Sequence, residues 1–356
     1  MPRVWEIPVH DSTRVRDVRV ATEAAAAQAG LDDDRTASAA LVATELATNL
    51  LKHADGGQVL LDTVRSPLAA DSGAGPALVQ IVAVDHGPGI RDVPAALRDG
   101  FSTTSSLGAG LGTCRRIADD FDLHSIPGRG TVAMARVGAR KGRSPAPDHG
   151  DRFPVRAGGV NIPFAHAEHS GDAWAWIRSG DLLTLMLADG LGHGPEAARA
   201  SSAAVDELHR SPRLPPAELL RRLDGPLRDT RGAAVAVAQL DVRAGRLSFA
   251  GVGNIGARLR TGDSWKPLLS RPGIVGAHRP ASLPQHQVGW EGDCLLVLHS
   301  DGLPSRWSPG PAAYTPFLDP AVIAAALVRD ASSPARPVRD DTAVAVLSPS
   351  PPDPAI

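Results

Sequence analysis

Four acidic clusters in the second half of the chain stand at the ends of apolar runs: HSGDAW at Asp172, ADGLGHG at Asp189, HSDGLP at Asp301, and RDDTA at Asp340 and Asp341. Carboxylates at strand ends can gather around hard divalent cations, which take oxygen ligands. Two such cations acidify a water and neutralise phosphoryl oxygens, and hydrolysis of a phosphate monoester needs both. Gly190 and Gly302 follow their acids directly, which lets the backbone bend and a carbonyl approach a metal. A single Asp-Gly is more often a turn than a ligand. Four such clusters within one half of the chain are harder to explain as turns.

The first half carries a different set. Glu45 and Asn49 lie four residues apart in ELATNLLKHA, a polar pair on an otherwise apolar helical pattern. The Asn49 amide oxygen could reach a hard cation bridging phosphates, and Glu45 could orient water or accept a hydroxyl proton. A solvated helix face is the plainer account if ELATN stands alone. The run ALVQIVAVD delivers Asp85 into HGPG, whose Gly87 and Gly89 leave room for a flat ligand. A buried carboxylate there needs donors, and the exocyclic amine of adenine is one. Gly108, Gly110, Leu111 and Gly112 precede a helix and offer backbone N–H groups to phosphates. GRGT puts the Thr131 hydroxyl at the start of a strand beside the base. Each motif is weak by itself. In this order they read as an ATP pocket.

The chain has 356 residues, and a prior of roughly 150 per domain suggests two. The interrupted stretch GARKGRSPAPDHGD marks the division: an ATP-binding domain over 1–138, a linker over 139–150, a phosphatase-like domain over 151–348 and a tail over 349–356. A net charge of −2 with both signs dispersed gives no basic surface for nucleic acid. The most apolar stretch, LLTLMLA, is too short to cross a membrane, and the N-terminus lacks a leader pattern, so a cytoplasmic address is expected. Cys114 and Cys294 lie apart without metal spacing and read as small buried hydrophobes.

The elements expected to position the first set are a strand near Val4–Val9, a helix capped by Asp11 or Ser12 and ended by Gly30, and a second helix from about Asp33 to Lys52. On that helix Val42, Leu46 and Leu50 form the apolar stripe, and Glu45, Asn49, Lys52 and His53 share the adjacent face. Two strands follow, QVLLDTV and ALVQIVAVD, then a helix from Leu111 to Phe121 and a last strand, TVAMARV. The second half alternates apolar strand runs with turns and places two helical patterns between Pro195 and Leu227. The whole is an α+β fold: an N-terminal two-layer α/β sandwich, then packed sheets with helices outside.

The ordered set ELATN, DHGPG, DGFST, LGAGLG and GRGT resembles the GHKL (Bergerat-fold) ATPases over about residues 4–138, and among them the RsbT/RsbW-type switch kinases. That resemblance implies Asn49 as magnesium ligand, Glu45 as catalytic carboxylate, Asp85 and Thr131 as adenine contacts, and Gly108 to Gly112 as the ATP lid. The set SGDAW, DGLGHG, SDGL and DDTA resembles the SpoIIE/RsbX branch of PP2C-like (PPM) serine phosphatases over about 151–348. It implies Asp172, Asp189, Asp301 and Asp340 as metal acids, with Asp341 the fallback for Asp340, and Gly190 as a carbonyl ligand. Leu191 stands where animal-type relatives have a histidine. His193, two residues later, is a candidate acid for the leaving oxygen, with a turn-surface histidine the plainer reading.

Together the resemblances imply a partner-switching regulator, an ATP-dependent protein serine/threonine kinase joined to a metal-dependent phosphatase. Its partner would be a phosphoserine or phosphothreonine protein, a STAS-domain antagonist or similar switch protein. ATP with Mg²⁺ or Mn²⁺ would be the cofactors, and a homodimer is compatible with the reading. One alternative is an ATP-gated phosphatase whose first domain only binds nucleotide and partner. Another is a catalytically dead scaffold, against which the complete set of motif acids argues.

Overall fold

The computed structural model describes residues 3–65, 77–98, 110–139, 155–304, 307, 317–332 and 338–350. Gly108 and the DGFST segment lie outside them, as do nearly all of the expected linker and tail.

The first half builds one antiparallel five-stranded sheet from β1 (Trp5–Val9), β2 (Gly57–Arg65), β3 (Ala77–Val84), β4 (Asp120–Ile126) and β5 (Gly130–Gly138), in the order β1-β2-β3-β5-β4. Helices α1 (Ser12–Gln28) and α2 (Asp33–Ala54) cover one face. The Asp11 carboxylate caps α1, and Gly30, with φ +70°, lies just past its end. Val42, Leu46 and Leu50 are buried against Val59, Leu61, Ile81 and Ala133, so the predicted stripe is the contact face of α2. The short α3 (Val93–Ala96) follows Asp85. One expectation fails here: α4 spans only Leu111–Ile117, and the residues that follow form β4 instead. Hydrogen bonding along β5 decides this, with Phe121 opposite Ala135 and Leu123 opposite Ala133.

The second half stacks two five-stranded antiparallel sheets. One contains β7 (Asp172–Ser179), β8 (Leu182–Gly190), β9 (Ala233–Asp241), β10 (Arg246–Val252) and β13 (His286–Gly289), in the order β13-β10-β9-β8-β7. The other contains β6 (Val155–Ile162), β11 (Gly256–Thr261), β12 (Ser264–Leu268), β14 (Leu295–His299) and β15 (Thr342–Pro349), in the order β12-β11-β14-β15-β6. Leu185, Leu187, Ala236 and Phe249 meet Leu296, Leu298, Ala345 and Leu347 between them. The two expected helices, α5 (Pro195–Arg210) and α6 (Pro216–Leu227), cover the outer face of the first sheet.

A seventh helix, α7 (Pro320–Ala331), lies between the halves. PAVIAAALVRDA is apolar around its whole circumference, and Pro320 through Arg329 are all buried. One side packs on Val344 and Val346, the other on Leu60, Val82, Val132 and Met134 from the back of the first sheet. Buried polar contacts fix the seam. Arg136 donates to both oxygens of Asp319 at 2.8 Å and to Gln80 Oε1 at 2.9 Å, and Gln80 Nε2 donates to the Gly159 carbonyl at 2.9 Å. The paired guanidinium holds the Asp319 carboxyl below the usual range against the opposing effect of burial. No helix among the described residues is long and apolar enough to cross a membrane.

Candidate nucleotide and metal sites

The strand β3 ends at Asp85, whose backbone N–H still bonds the Thr131 carbonyl at 3.0 Å. Its Oδ1 accepts N–H groups from Gly87 at 2.8 Å and Thr131 at 3.1 Å. That leaves Oδ2 for a ligand's donor. Burial raises the Asp85 pKa, while the two backbone donors and the nearby Arg329 charge act against it. Gly130 has φ +93°, and a Cβ there would strike the Asp85 backbone, so the close approach of β5 requires glycine. Ser125 was not singled out from the sequence. Its hydroxyl accepts the Ile90 N–H at 2.7 Å and pairs with the Thr131 hydroxyl at 3.0 Å, tying the HGPG turn to β5. Its signal was faint, one serine in an alternating strand.

Glu45 and Asn49 sit half-buried on α2, one turn apart, on the edge of its apolar stripe. Partial burial raises the Glu45 pKa, and the charge of Lys52 opposes it. Gly110 caps α4 with no side-chain bond, and Leu111 and Gly112 open the helix. Cys114, in α4, is buried with its thiol pushed up to about 12.

In the second half the sheet register does the positioning. Asp172 opens β7 directly opposite Asp189 near the end of β8, so the two side chains share a face. Asp301 follows β14, and Asp340 and Asp341 precede β15, the neighbouring strand. Burial comes first in raising both pKa values: Asp189 is pushed up to about 7 with help from Asp301, Asp340 and Asp341, and Asp172 well above the ordinary range with help from Asp189. The acids grade outward, from buried Asp172 and half-buried Asp189 to exposed Asp301 and Asp340.

The adjacent acids Asp340 and Asp341 differ. Asp341 is buried, and its oxygens accept the Phe164 N–H at 2.7 Å and the Gly171 N–H at 2.8 Å. Asp340 faces outward. Two partners escaped the sequence reading: Asn254, which donates to Asp301 Oδ2 at 2.7 Å, and Ser300, which bonds Asp172 and accepts the Ala343 N–H at 3.0 Å. Asn254 ends FAGVGN, a run that reads equally well as a hairpin turn. Gly190 is buried, and a Cβ there would strike the Ala197 backbone, so α5 can seat against β8 only over glycine. His193 is exposed in the turn between β8 and α5.

These donors are oxygens, as a hard divalent cation prefers, and buried Asp172 Oδ2 has no hydrogen-bond partner among the described residues. Among the described residues, no three His, Cys, Asp or Glu side chains already form a closed ligand set. The acids therefore surround a site whose final contacts a cation would have to draw in.

Residues 9–136 match the histidine kinase-like ATPase domain, and residues 179–349 match stage II sporulation protein E (SpoIIE). The two matched spans follow one another along the chain, an ATPase-like domain first and a SpoIIE-like one second. Asp172 lies just ahead of the second matched span. The serine/threonine-protein kinase RsbT of Bacillus subtilis (strain 168) is 41% identical over 92 residues, covering 26% of this chain and 64% of that protein. The chain thus spans somewhat less than two thirds of that relative. Similar solved structures include one of the bacterial stressosome, at 29% identity over 54% of this chain and 98% of the other with a TM-score of 0.48. RsbX in complex with magnesium is 18% identical over 56% and 98%, with a TM-score of 0.48. The phosphatase domain and regulatory fragment of Bacillus subtilis SpoIIE is 15% identical over 97% and 98%, with a TM-score of 0.49.

Proposed function

We propose that this protein is a two-enzyme switch in the cytoplasm, a metal-dependent phosphatase of phosphoserine and phosphothreonine proteins fused to an ATP-dependent protein kinase. The observation that carries the phosphatase half is the placement of Asp172 directly opposite Asp189, with the charges of Asp301, Asp340 and Asp341 close enough to help raise the Asp189 pKa. Mg²⁺ or Mn²⁺ would be held by Asp172, Asp189, the Gly190 carbonyl, Asp301 and Asp340, and when bound would supply charge for the phosphoryl oxygens and an acidified water. Asp341, with both oxygens engaged by backbone, is assigned to holding the 164–171 loop. His193 remains a candidate proton donor to the leaving oxygen.

In the kinase half, Asp85 Oδ2 would accept the adenine amine beside the Thr131 hydroxyl, with Gly87 and Gly89 making room for the base. Asn49 would complete the cation on the phosphates, Gly108 to Gly112 would close over them, and Glu45 would take the acceptor's hydroxyl proton. The protein substrate fitting this pair of activities is a STAS-type antagonist. The deciding experiment incubates the full chain with labelled ATP and STAS-domain candidates in an Asp189→Asn, Asp301→Asn background, so that product is not erased in cis. Label on the candidate, lost in a further Glu45→Ala variant, supports the kinase. In the unmutated chain, Mn²⁺-dependent release of phosphate from a phosphoserine peptide tests the phosphatase, and its absence refutes that half.

The α7 seam favours a second reading, in which nucleotide gates the phosphatase without phosphoryl transfer. His86, next to Asp85, donates from Nε2 to the Arg329 carbonyl at 3.0 Å, and α7 packs on β15, which follows Asp340 and Asp341. Phosphatase turnover that changes with ATP while candidates stay unlabelled would select it.

A further inference from the structure

A cavity of about 400 Å³ lies where the two halves meet, away from the adenine side of the first sheet. Asp62, Thr63 and Arg65 of β2 form one wall, Trp174 and Trp176 of β7 another, and His209 of α5 closes it, with Asn161 and Asp172 at its base. Its volume lies in the range of small-molecule sites rather than of a single ion.

Most of the unpaired polar atoms of this cavity are acceptors. Asn161 Oδ1, Asp172 Oδ2, Thr63 Oγ1 and His209 Nε2 are buried and have no hydrogen-bond partner among the described residues. Asn161 is 8% exposed and Asp172 3%. The Asn161 amide nitrogen is already used, donating to the Asp172 carbonyl at 2.8 Å, so only its oxygen is left. His209 Nδ1 faces the Val205 carbonyl at 2.7 Å, and since a carbonyl only accepts, Nδ1 carries the proton and Nε2 presents a lone pair. Among the described residues the Asp62 carboxylate takes a single donor, the N–H of its neighbour Thr63 at 2.7 Å. Buried acceptors without donors are costly and are normally satisfied. Asp62 and Asp206 line the cavity beside the guanidinium of Arg65, and indole walls favour a cation further.

We propose that this interdomain cavity binds a small organic cation bearing several N–H donors, an aliphatic amine or guanidine, whose charged ends bond Asp62 on the ATPase half and Asn161 on the phosphatase half. Such a ligand would bridge the domains and report a metabolite's concentration to both. Burial pushes the Asp62 carboxyl up to about 7, as expected for an acid whose counter-charge is supplied from outside. Binding of such a cation requires neither kinase nor phosphatase activity.

Calorimetric titration of the full chain in EDTA at pH 8 with putrescine, agmatine and spermidine tests it, with glutarate and 1,4-butanediol as anionic and neutral controls. The expected result is saturable one-to-one binding of at least one amine, none of either control, and at least tenfold weaker binding in Asp62→Asn. Ser202→Phe, which fills the cavity from α5, should block binding as well, and Asp301→Asn should leave it unchanged. Absence of saturable binding by all three amines, undiminished binding in a folded Asp62→Asn, or loss in Asp301→Asn would each overturn the proposal.

Discussion

Replacing Asp62 by asparagine should stabilise this protein at alkaline pH and do little in acid. Asp62 lies on β2 opposite Gln80, on the face that meets the second half, and among the described residues the one donor to its carboxylate is the Thr63 N–H at 2.7 Å. Burial therefore outweighs hydrogen bonding and raises its pKa from 3.8 to about 7. The folded state holds this proton more tightly than the unfolded chain does. Stability from the group is complete below about pH 4, declines as pH rises through the interval up to about 7, and stays lower beyond it. The interval corresponds to at most about 4 kcal/mol, and to about 1 kcal/mol at pH 4.5. Asparagine mimics the protonated acid and removes the dependence. Urea unfolding of both proteins in EDTA, followed by circular dichroism, should favour the variant by no more than about 1 kcal/mol at pH 4.5 and by a clearly larger margin, up to about 4 kcal/mol, at pH 8.5. Parallel midpoint-against-pH curves, or a variant less stable at pH 8.5, would refute the reasoning, because the carboxylate would then have a partner.

Other substitutions separate roles that lie close together. Asp341→Asn should lower the melting temperature in EDTA, since one of two backbone N–H groups loses its acceptor at a cost of about 1 to 3 kcal/mol, whereas Asp340→Asn should melt like the parent but lose Mn²⁺-dependent turnover. Asp85→Ala should weaken ATP binding by tenfold or more in equilibrium dialysis. Arg136→Met leaves Asp319 buried without its partner and should destabilise by about 3 to 5 kcal/mol, with Arg136→Met, Asp319→Leu recovering part of that loss in thermal melts. His193→Ala retaining full phosphatase turnover from acidic to neutral pH would remove His193 from the chemistry.

Local chemistry in the chain made much of this protein legible. The spacing of Val42, Leu46 and Leu50 announces the buried stripe of α2, and with it the edge where Glu45 and Asn49 lie, because helix periodicity needs no partner to be seen. Acids at the ends of apolar runs likewise mark strand termini. Alternation over DFDLHSI was overlooked beside a helical pattern, and only pairing with β5 made it a strand. PAVIAAALVRDA is strongly apolar overall, and only the packed structure shows that each half of the molecule buries one of its sides. The difference between Asp340 and Asp341, the support from Ser125, Asn254 and Ser300, and the acceptor-lined cavity around Asp62 all depend on groups distant in the chain. Burial and hydrogen-bond supply are properties of three-dimensional neighbourhood, so those features could emerge only once the sheets had packed.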